Sequence, residues 1–362
     1  MAKTRINEID LLRFLAVLMV VLFHFAFRGY AADGYSPMPY PLLAPFAKYG
    51  YLGVQLFFII SGFVILMTAA SGSLRNFFVS RIVRLYPAFW ISCTLTFLAI
   101  LTLGGEHFRA TIPQYLVNMT MLSEFVRVRP IDGVYWSLFV ELKFYALVFL
   151  VLLAGRTHQA EKLLVAWLLL TIALEVYPIS IVRYVLITDY AVYFIAGAIS
   201  YLIWSRGLSL TRISAFAAAW LVALKQSLSG LSGFETHYGE SLNIFVVSGI
   251  VSVFLLTVLL ISLRKTGRFA QWRWAMAGAI TYPLYLIHQK IGYMLIEIAY
   301  PAFNAHVVFW GTLLIVLALS FAIHFCIERK VSAPLKRLMH AALDVTNQRM
   351  ILPSVEFLAI RR

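Results

Sequence analysis

Apolar runs recur along almost the whole chain and are separated by short polar segments. Each run is about 20 residues long, the length that a helix needs to cross the hydrocarbon core of a bilayer. The runs predict ten spans, at approximately residues 9–28, 50–70, 85–104, 136–154, 163–180, 185–204, 211–228, 242–263, 276–298 and 306–327. The fifth and seventh runs are the weakest. The pattern predicts an all-α, polytopic membrane protein, a bundle of about ten transmembrane helices.

The composition supports this class of protein. The chain is 62% hydrophobic and 13% charged, with a mean hydropathy of +0.85, whereas soluble domains are about 45–50% apolar. Cys93 and Cys326 fall in predicted spans and indicate no disulfide framework. The first run is too long for a cleavable signal peptide. We predict one integral domain, residues 1–335, and a basic cytoplasmic tail, residues 336–362, without an appended soluble domain.

The positive charge follows the predicted topology. The formal net charge is +14, which by itself would suit a nucleic-acid partner. If the N-terminus is cytoplasmic, 20 of the 30 lysines and arginines lie on the cytoplasmic side, seven lie outside and three lie within spans. This bias is the positive-inside pattern, so we predict that both termini are cytoplasmic and expect no nucleic-acid binding.

Two ionisable residues, Arg13 and His24, interrupt the first run, IDLLRFLAVLMVVLFHFAF. An ionisable side chain inside a bilayer is costly, so it marks a candidate functional site. At about 100° per residue, His24 lies about 20° past three full turns from Arg13, and at about 1.5 Å of rise per residue it lies about 16 Å away. Both side chains therefore leave the same face of one helix, and we predict that both contribute to a site.

Two arginines stand in the segment SRIVRLYPAFW, where the third run begins. Arg81 and Arg84 are three residues apart and share a helix face at the predicted cytoplasmic surface. Guanidinium groups suit the geometry of phosphate, so one interpretation is a clamp for a phosphorylated cytosolic ligand. The alternative is that these residues only follow the positive-inside rule and contact lipid headgroups.

The fourth run, in the segment IDGVYWSLFVELKFYAL, carries Glu141 about five residues from its start. A carboxylate at this depth needs a cation or a hydrogen-bond donor nearby. Tyr145 lies four residues later on the same face, whereas Lys143 could reach Glu141 only across helices, because side chains two residues apart diverge. We predict a functional role for Glu141, with Tyr145 and Lys143 as candidates for substrate binding.

Polar residues in three other runs have different interpretations. In the ninth run, GAITYPLYLIHQKIGY, His288 and Tyr282 are candidates for substrate binding. In the second run, Ser61 and Gly62 favour close helix packing, since no GxSxG segment is present to suggest a nucleophile. Glu328, near the end of the tenth run, is interpreted as a charge that snorkels to the surface. No metal-site spacing such as HExxH occurs, so we expect no metal.

Five segments resemble the blocks of the membrane acyltransferase-3 family, in the family's order. They are IDLLRFLAVLMVVLFHF, GVQLFFIISGFVI, RIVRLYP, WSLFVELKFY and ITYPLYLIHQ, and the similarity covers about residues 6–330. The first has the family's mark of an arginine, ten residues and a histidine. Two positions depart from the family pattern: Leu11 stands where glycine is common, and Lys330 stands where proline is common.

This resemblance implies an enzyme of the bacterial inner membrane that moves an acyl group, usually acetyl, from acyl-CoA to a hydroxyl of an extracytoplasmic or lipid-linked carbohydrate such as exopolysaccharide or O-antigen. It implies catalytic roles for Arg13, His24 and Glu141. We expect Arg81 and Arg84, with Arg13, to hold the phosphates of acetyl-CoA. We expect His24 to act as general base and Glu141 to orient its imidazole. An acyl-histidine intermediate is the alternative mechanism.

Two other functions stay open. A macrolide-type O-acyltransferase would use the same donor with a different acceptor. A transporter or flippase would also carry arginine, histidine and glutamate inside a helix bundle, but it would release no CoA thiol. The expected partners are membrane lipid, acyl-CoA and a carbohydrate acceptor. An oligomer is compatible with the sequence.

Overall fold

The computed structural model describes residues 5–32 and 34–359, and of these the side chains at 268, 270 and 345–359 are not described. All regular structure in this part of the chain is helical. Ten long helices build the bundle: α1 (Asn7–Phe23), α2 (Gly53–Ala69), α3 (Leu74–Leu103), α4 (Tyr135–Leu153), α5 (Ala160–Val176), α6 (Thr188–Arg206), α7 (Leu210–Ser229), α8 (Ile244–Ser262), α9 (Ala275–Ala299) and α10 (Ala305–Ile323). A further helix, α11, spans Arg329–Ala359.

The prediction of an all-α, polytopic membrane protein is confirmed. Within the described residues, six helical segments are long and apolar enough to cross a membrane: Asn7–Ala31, Ala44–Ala69, Leu74–Leu103, Tyr135–Leu153, Ile244–Ser262 and Ala305–Asp344. The other four long helices coincide with the remaining predicted spans. The count of ten membrane crossings stays a prediction.

Shorter elements lie between the long helices. The α-helical ones are Gly29–Ala31, Ala44–Ala47, Ile112–Asn118, Ser180–Val185 and Leu231–Tyr238, and the 3₁₀ turns are Gly50–Leu52, Thr157–Gln159 and Gly267–Gln271. Two π segments, His24–Arg28 and His324–Glu328, follow α1 and α10 directly. Residues 336–359 of the predicted tail belong to α11, and residues 360–362 lie outside the described residues.

Helix α3 begins eleven residues before the predicted third span. The hydroxyl of Ser73 caps its first turn by accepting a hydrogen bond from the backbone N–H of Asn76, at 3.2 Å. The helix then continues through Pro87 to Leu103. Arg81 and Arg84, which the sequence places at the start of this span, therefore lie inside a continuous helix. The helix fixes the positions of their Cβ atoms relative to the bundle.

Helices α2 and α6 pack with their backbones in contact. A Cβ atom at Gly62 would overlap the carbonyl oxygen of Phe194, and one at Gly197 would overlap that of Ile59. Small residues permit this approach, and close packing is a main source of helix association in a bilayer. The predicted packing role of Gly62 is thus confirmed. Helix α1 packs against α2 and α9, and α9 also contacts α3 and α10, so α1 lies inside the bundle.

Candidate active site

Helix α1 changes its winding at the predicted histidine. It is a regular α-helix from Asn7 to Phe23, and the π segment then begins at His24. The rise of about 1.5 Å per residue therefore applies up to this point, so Arg13 and His24 are about 16 Å apart along one helix. Single π turns are rare in proteins, and many of those that occur lie at functional sites. We call the two ends of this helix the Arg13 end and the His24 end of the bundle.

At the His24 end, two histidines from α1 and α9 are in direct contact. The Nε2 atom of His288 lies 3.2 Å from the Nδ1 atom of His24, and the ring centroids are 4.9 Å apart. Both side chains are buried. The Nδ1 atom of His24 also lies 2.7 Å from the carbonyl oxygen of Val20, and that of His288 lies 2.8 Å from the carbonyl oxygen of Tyr285.

These contacts assign the proton on each ring. A carbonyl oxygen only accepts, so each Nδ1 atom that faces one carries the hydrogen. The Nε2 atom of His288 is then an acceptor, and the Nδ1–H of His24 is shared between this atom and the carbonyl oxygen of Val20. The Nε2 atom of His24 keeps its lone pair, so it is the atom of this pair that can accept a proton from another molecule.

His24 lines a cavity of about 280 Å³, which we call the histidine cavity. Its other lining residues include Arg28, Tyr51, Gln55, Trp136, Tyr190, Tyr285 and Gln289. The Oε1 atom of Gln289 is buried and has no hydrogen-bond partner among the residues that the structure describes. The cavity combines apolar walls with a few polar groups, as small-molecule sites do.

A carboxylate that the sequence analysis did not single out connects the loop before α4 to α9. Asp132 is fully buried, and its two oxygens accept hydrogen bonds from the backbone N–H groups of Val134, at 3.1 Å, and of Lys290, at 3.0 Å. The Tyr285 hydroxyl donates to the carbonyl oxygen of Val134, at 3.2 Å. Burial raises the pKa of Asp132 above its usual range. This loop forms one wall of the histidine cavity, because Gly133 and Val134 line it.

At the Arg13 end, three arginines from α1 and α3 form a second polar group. Arg13 interacts electrostatically with Arg84, Tyr145 and Glu141, and its nearest contact with Asp10 is 3.9 Å. Its side chain is 27% exposed. Like charges at close range favour an anionic ligand between them, because the ligand relieves their repulsion.

The two arginines of α3 have different partners. The Nη1 atom of Arg84 donates to the Oε1 atom of Glu328 at 2.7 Å, and its guanidinium lies 5.7 Å from the ring centroid of Tyr282. The guanidinium of Arg81 lies 5.8 Å from the ring centroid of Tyr145. The Arg84 side chain is 34% exposed, whereas the side chain of its carboxylate partner is buried.

Glu141 belongs to the Arg13 end rather than to His24. Its Oε1 atom accepts hydrogen bonds from the hydroxyls of Ser61, at 2.5 Å, and of Tyr145, at 2.7 Å. The expectation that Glu141 orients the imidazole of His24 does not hold, because His288 occupies that position. Ser61 therefore has a polar partner in addition to its place in the packed face of α2.

Two further residues lie elsewhere than expected. Lys143 lies on another face of α4, with its ammonium 3.4 Å from the ring centroid of Tyr184 and 4.7 Å from that of Phe139, so it does not join either polar group, and its role in substrate binding stays a prediction. Glu328 does not snorkel to the surface. It is buried and bridges Arg84 to His324, whose Nδ1 atom lies 2.8 Å from Oε2.

Comparison with known proteins shows the family of this chain. The family description "Acyltransferase domain", of the acyltransferase-3 family, matches residues 6–329. The chain belongs to this family. Across the residues whose side chains the structure describes, no group of three or more His, Cys, Asp or Glu could hold a metal ion.

Two relatives are similar over part of the chain. Nodulation protein 10 of Rhizobium leguminosarum bv. viciae is 30% identical over 184 residues, which is 44% of this chain and 48% of that protein. ORF330 of Acidianus two-tailed virus, whose name proposes an acetyltransferase, is 30% identical over 118 residues, 32% of this chain and 34% of that protein. The chain thus spans about half the length of nodulation protein 10 and about one third of the length of ORF330. No solved structure matches it.

Proposed function

We propose that this protein is a membrane O-acyltransferase that moves an acetyl group from acetyl-CoA to a hydroxyl of an extracytoplasmic or lipid-linked glycan, such as exopolysaccharide or O-antigen. Family membership supports acyl transfer, and the name of ORF330 supports acetyl as the group transferred. One observation carries the mechanism: the contact with His288 uses the Nδ1 atom of His24 and leaves its Nε2 atom with a free lone pair, and His24 lines a cavity.

The arginines at the Arg13 end are the proposed donor site. Arg13 and Arg84 are partly exposed, and Arg81 lies beside Tyr145 in the same group. Guanidinium groups bind phosphate with charge-assisted hydrogen bonds, so they suit the phosphates of CoA. The thioester arm then runs alongside α1 toward the histidine cavity. Tyr145 and Tyr282 are proposed to line this path, and Glu141 to hold Tyr145 in place.

At the His24 end, the acceptor oxygen attacks the thioester carbonyl carbon while its proton passes to the Nε2 atom of His24. The resulting imidazolium donates its Nδ1–H to His288 and the carbonyl oxygen of Val20, which stabilises its charge. Collapse of the tetrahedral intermediate breaks the C–S bond, and the thiolate of CoA takes the proton from Nε2. The products are an acetyl ester and the CoA thiol.

The negative oxygen of the tetrahedral intermediate needs a donor in the histidine cavity. Arg28 lines this cavity, one turn after His24 along the π segment. We assign the oxyanion contact to its guanidinium. A donor at this position stabilises charge that develops on the carbonyl oxygen during the attack and is absent from the bound thioester, and such a contact is typically worth a factor of about 10²–10³ in rate.

The direction of transfer follows from the proposed topology. With both termini cytoplasmic in a bacterial inner membrane, the Arg13 end faces the cytosol, where acyl-CoA is found, and the His24 end faces outward. A glycan hydroxyl can then reach the histidine cavity without entering the cell. The positive-inside bias of the loops supports this orientation.

Release of CoA thiol by the purified protein tests the proposal. The protein in detergent is given acetyl-CoA, and free thiol is measured with and without a glycan fraction extracted from the membranes of cells that carry it. Thiol release that rises with added glycan supports acyl transfer. A protein that binds acetyl-CoA but releases no thiol under either condition would be a carrier, and the enzyme proposal would fail. A thiol release stimulated by a macrolide but not by glycan would change the acceptor class alone.

A further inference from the structure

A second cavity lies beside the histidine cavity at the His24 end. Its volume is about 320 Å³, and we call it the loop cavity. It lies between the loop of residues 118–130 and the first turns of α4. Trp136 lines both cavities, so the two adjoin at this residue. A molecule in the loop cavity would therefore lie next to the cavity that His24 lines.

The loop holds a fixed shape. Asn118 is buried, its amide nitrogen donates to the carbonyl oxygen of Arg129 at 3.0 Å, and its amide oxygen accepts from the backbone N–H of Ile131 at 3.0 Å. The backbone N–H of Val128 donates to the carbonyl oxygen of Ser123 at 2.9 Å. These bonds close the loop on itself, so the side chains it presents are positioned before any ligand arrives.

Two residues that line this cavity have left-handed backbone angles. Met121 has a φ of 62° and Arg127 a φ of 56°. For a residue other than glycine this conformation costs on the order of 1–3 kcal/mol, and such residues cluster at binding and catalytic sites. The folded loop therefore holds Arg127 in a backbone conformation that residues other than glycine disfavour.

The lining chemistry suits a sugar. Aromatic surfaces come from Tyr135 and Trp136, and groups able to bond hydroxyls come from Glu124, Arg127 and Arg129. A pyranose ring has apolar faces edged by hydroxyls, so it fits a site where aromatic and planar polar groups meet. A lipid chain would not need two arginines and a carboxylate, and the phosphates of CoA are accounted for by the arginines of the opposite end.

We propose that the loop cavity is the acceptor subsite, and that it binds the sugar residue next to the one acetylated. The inference rests on the proposed acyl transfer and adds to it the place where the glycan binds. Trp136 lies where the two cavities adjoin, and the neighbouring sugar passes it to bring its hydroxyl to His24. Arg127 and Arg129 are specificity residues here, since they bind the acceptor without touching the reacting atoms.

The experiment titrates acceptor against variants of the two arginines. The purified protein receives labelled acetyl-CoA and increasing amounts of the extracted membrane glycan fraction, and label in the glycan is measured. The variants are Arg127→Ala and Arg129→Ala, alone and together, with Trp136→Phe as a second probe, at the residue that lines both cavities. Arg109→Ala and Trp310→Ala are the matched controls, because these residues are exposed and line neither cavity. Acetyl-CoA affinity is measured by calorimetry for each protein.

The double arginine variant should need at least about tenfold more glycan for half-maximal transfer, with acetyl-CoA affinity within about twofold of wild type. Both controls should behave as wild type. Unchanged glycan dependence in the double variant, with wild-type transfer intact, would overturn the subsite alone. A parallel loss of acetyl-CoA affinity would also overturn it, because the loop would then support the donor site or the fold. A wild-type protein that releases no CoA thiol would instead contradict the proposed function itself.

Discussion

The Nε2 atom of His288 faces the Nδ1 atom of His24 across 3.2 Å, although the two residues are 264 positions apart in the chain. This contact joins α1 to α9 at the depth where α1 becomes a π-helix. It also decides which nitrogen of His24 is free to act. In the proposed mechanism, a neutral histidine takes the orienting place that a carboxylate has in a Ser-His-Asp triad.

Removing the proposed base should abolish most transfer. His24→Ala should lower acetyl transfer by roughly 10²–10⁴, the usual contribution of general acid–base catalysis, and should leave acetyl-CoA affinity near that of wild type. His24→Gln should be as inactive, because its amide cannot accept the hydroxyl proton. Transfer is measured as label moved from acetyl-CoA to glycan, normalised to protein. Near-wild-type transfer by His24→Gln would reduce this residue to a structural hydrogen-bonding group.

Removing the partner of the base should have a smaller effect. His288→Phe removes the Nε2 acceptor but leaves the carbonyl oxygen of Val20 against His24, so one of two orienting bonds remains. A hydrogen bond to a charged group is worth about 1.5–3 kcal/mol, so kcat should fall by roughly 10–100-fold, with the KM for acetyl-CoA unchanged. His288→Gln should restore part of the loss, because its amide oxygen can accept. Equal activities for the Phe and Gln variants would show that His288 only fills space.

The sequence predicted the elements of this site better than their contacts. Helical periodicity alone placed Arg13 and His24 on one face, because α1 stays regular up to Phe23. The cost of ionisable groups in a bilayer identified both residues and Glu141. The sequence placed Tyr145 beside Glu141 on α4 but could not predict the contacts with His288 and Ser61, which come from α9 and α2, because tertiary packing decides which helix faces which. The π segment at His24 has no signal in an apolar run.

The burial of two carboxylates, Glu328 and Asp132, could not be predicted from the sequence. Glu328 near the end of an apolar run has the pattern of a snorkelling charge, yet the bundle buries it between Arg84 and His324. Asp132 stands in a loop, where carboxylates are ordinary, and only the fold shows that it is fully buried. A carboxylate directly before an apolar run was the available signal, and it is a weak one.

The donor site should depend on the arginines at the Arg13 end. Arg81→Ala combined with Arg84→Ala should weaken acetyl-CoA binding, because each charge-assisted bond to phosphate is worth about 1.5–3 kcal/mol. Lysine at both positions should restore binding only in part, since it lacks the planar fork of arginine. Arg75→Ala is the control, because this arginine lies on the same helix but binds Asp344 of α11 at 2.6 Å. If calorimetry gives the double alanine variant the acetyl-CoA affinity of wild type, these arginines do not bind the phosphates of the donor.

Reporter fusions should show both termini in the cytoplasm. Fusions after residues 115, 232 and 303 should report the outer side, and those after residues 158, 207 and 268 the cytoplasm, because lysines and arginines concentrate in the second set of loops. Residue 115 is the most informative position, since it precedes the loop cavity. A cytoplasmic report there would reverse the direction of transfer, and the assignment of the arginines to a cytosolic donor would fail with it.

Asp132 should support the wall of the histidine cavity. Asp132→Ala would leave the backbone N–H groups of Val134 and Lys290 buried without partners, and each such group costs about 1–3 kcal/mol. Asp132→Asn should be milder, because its single amide oxygen can still accept from one of them. The raised pKa of Asp132 points the same way, since a site that disfavours the charged carboxylate tolerates a neutral amide.

We expect the midpoint temperature of thermal unfolding to be highest for wild type, lower for Asp132→Asn and lowest for Asp132→Ala. The rate of acetyl transfer should decrease in the same order. Glu106→Ala, in an exposed loop on the same side, is the control and should change neither. If the Ala variant unfolds like wild type, the loop is held by other contacts, such as that between Tyr285 and the carbonyl oxygen of Val134.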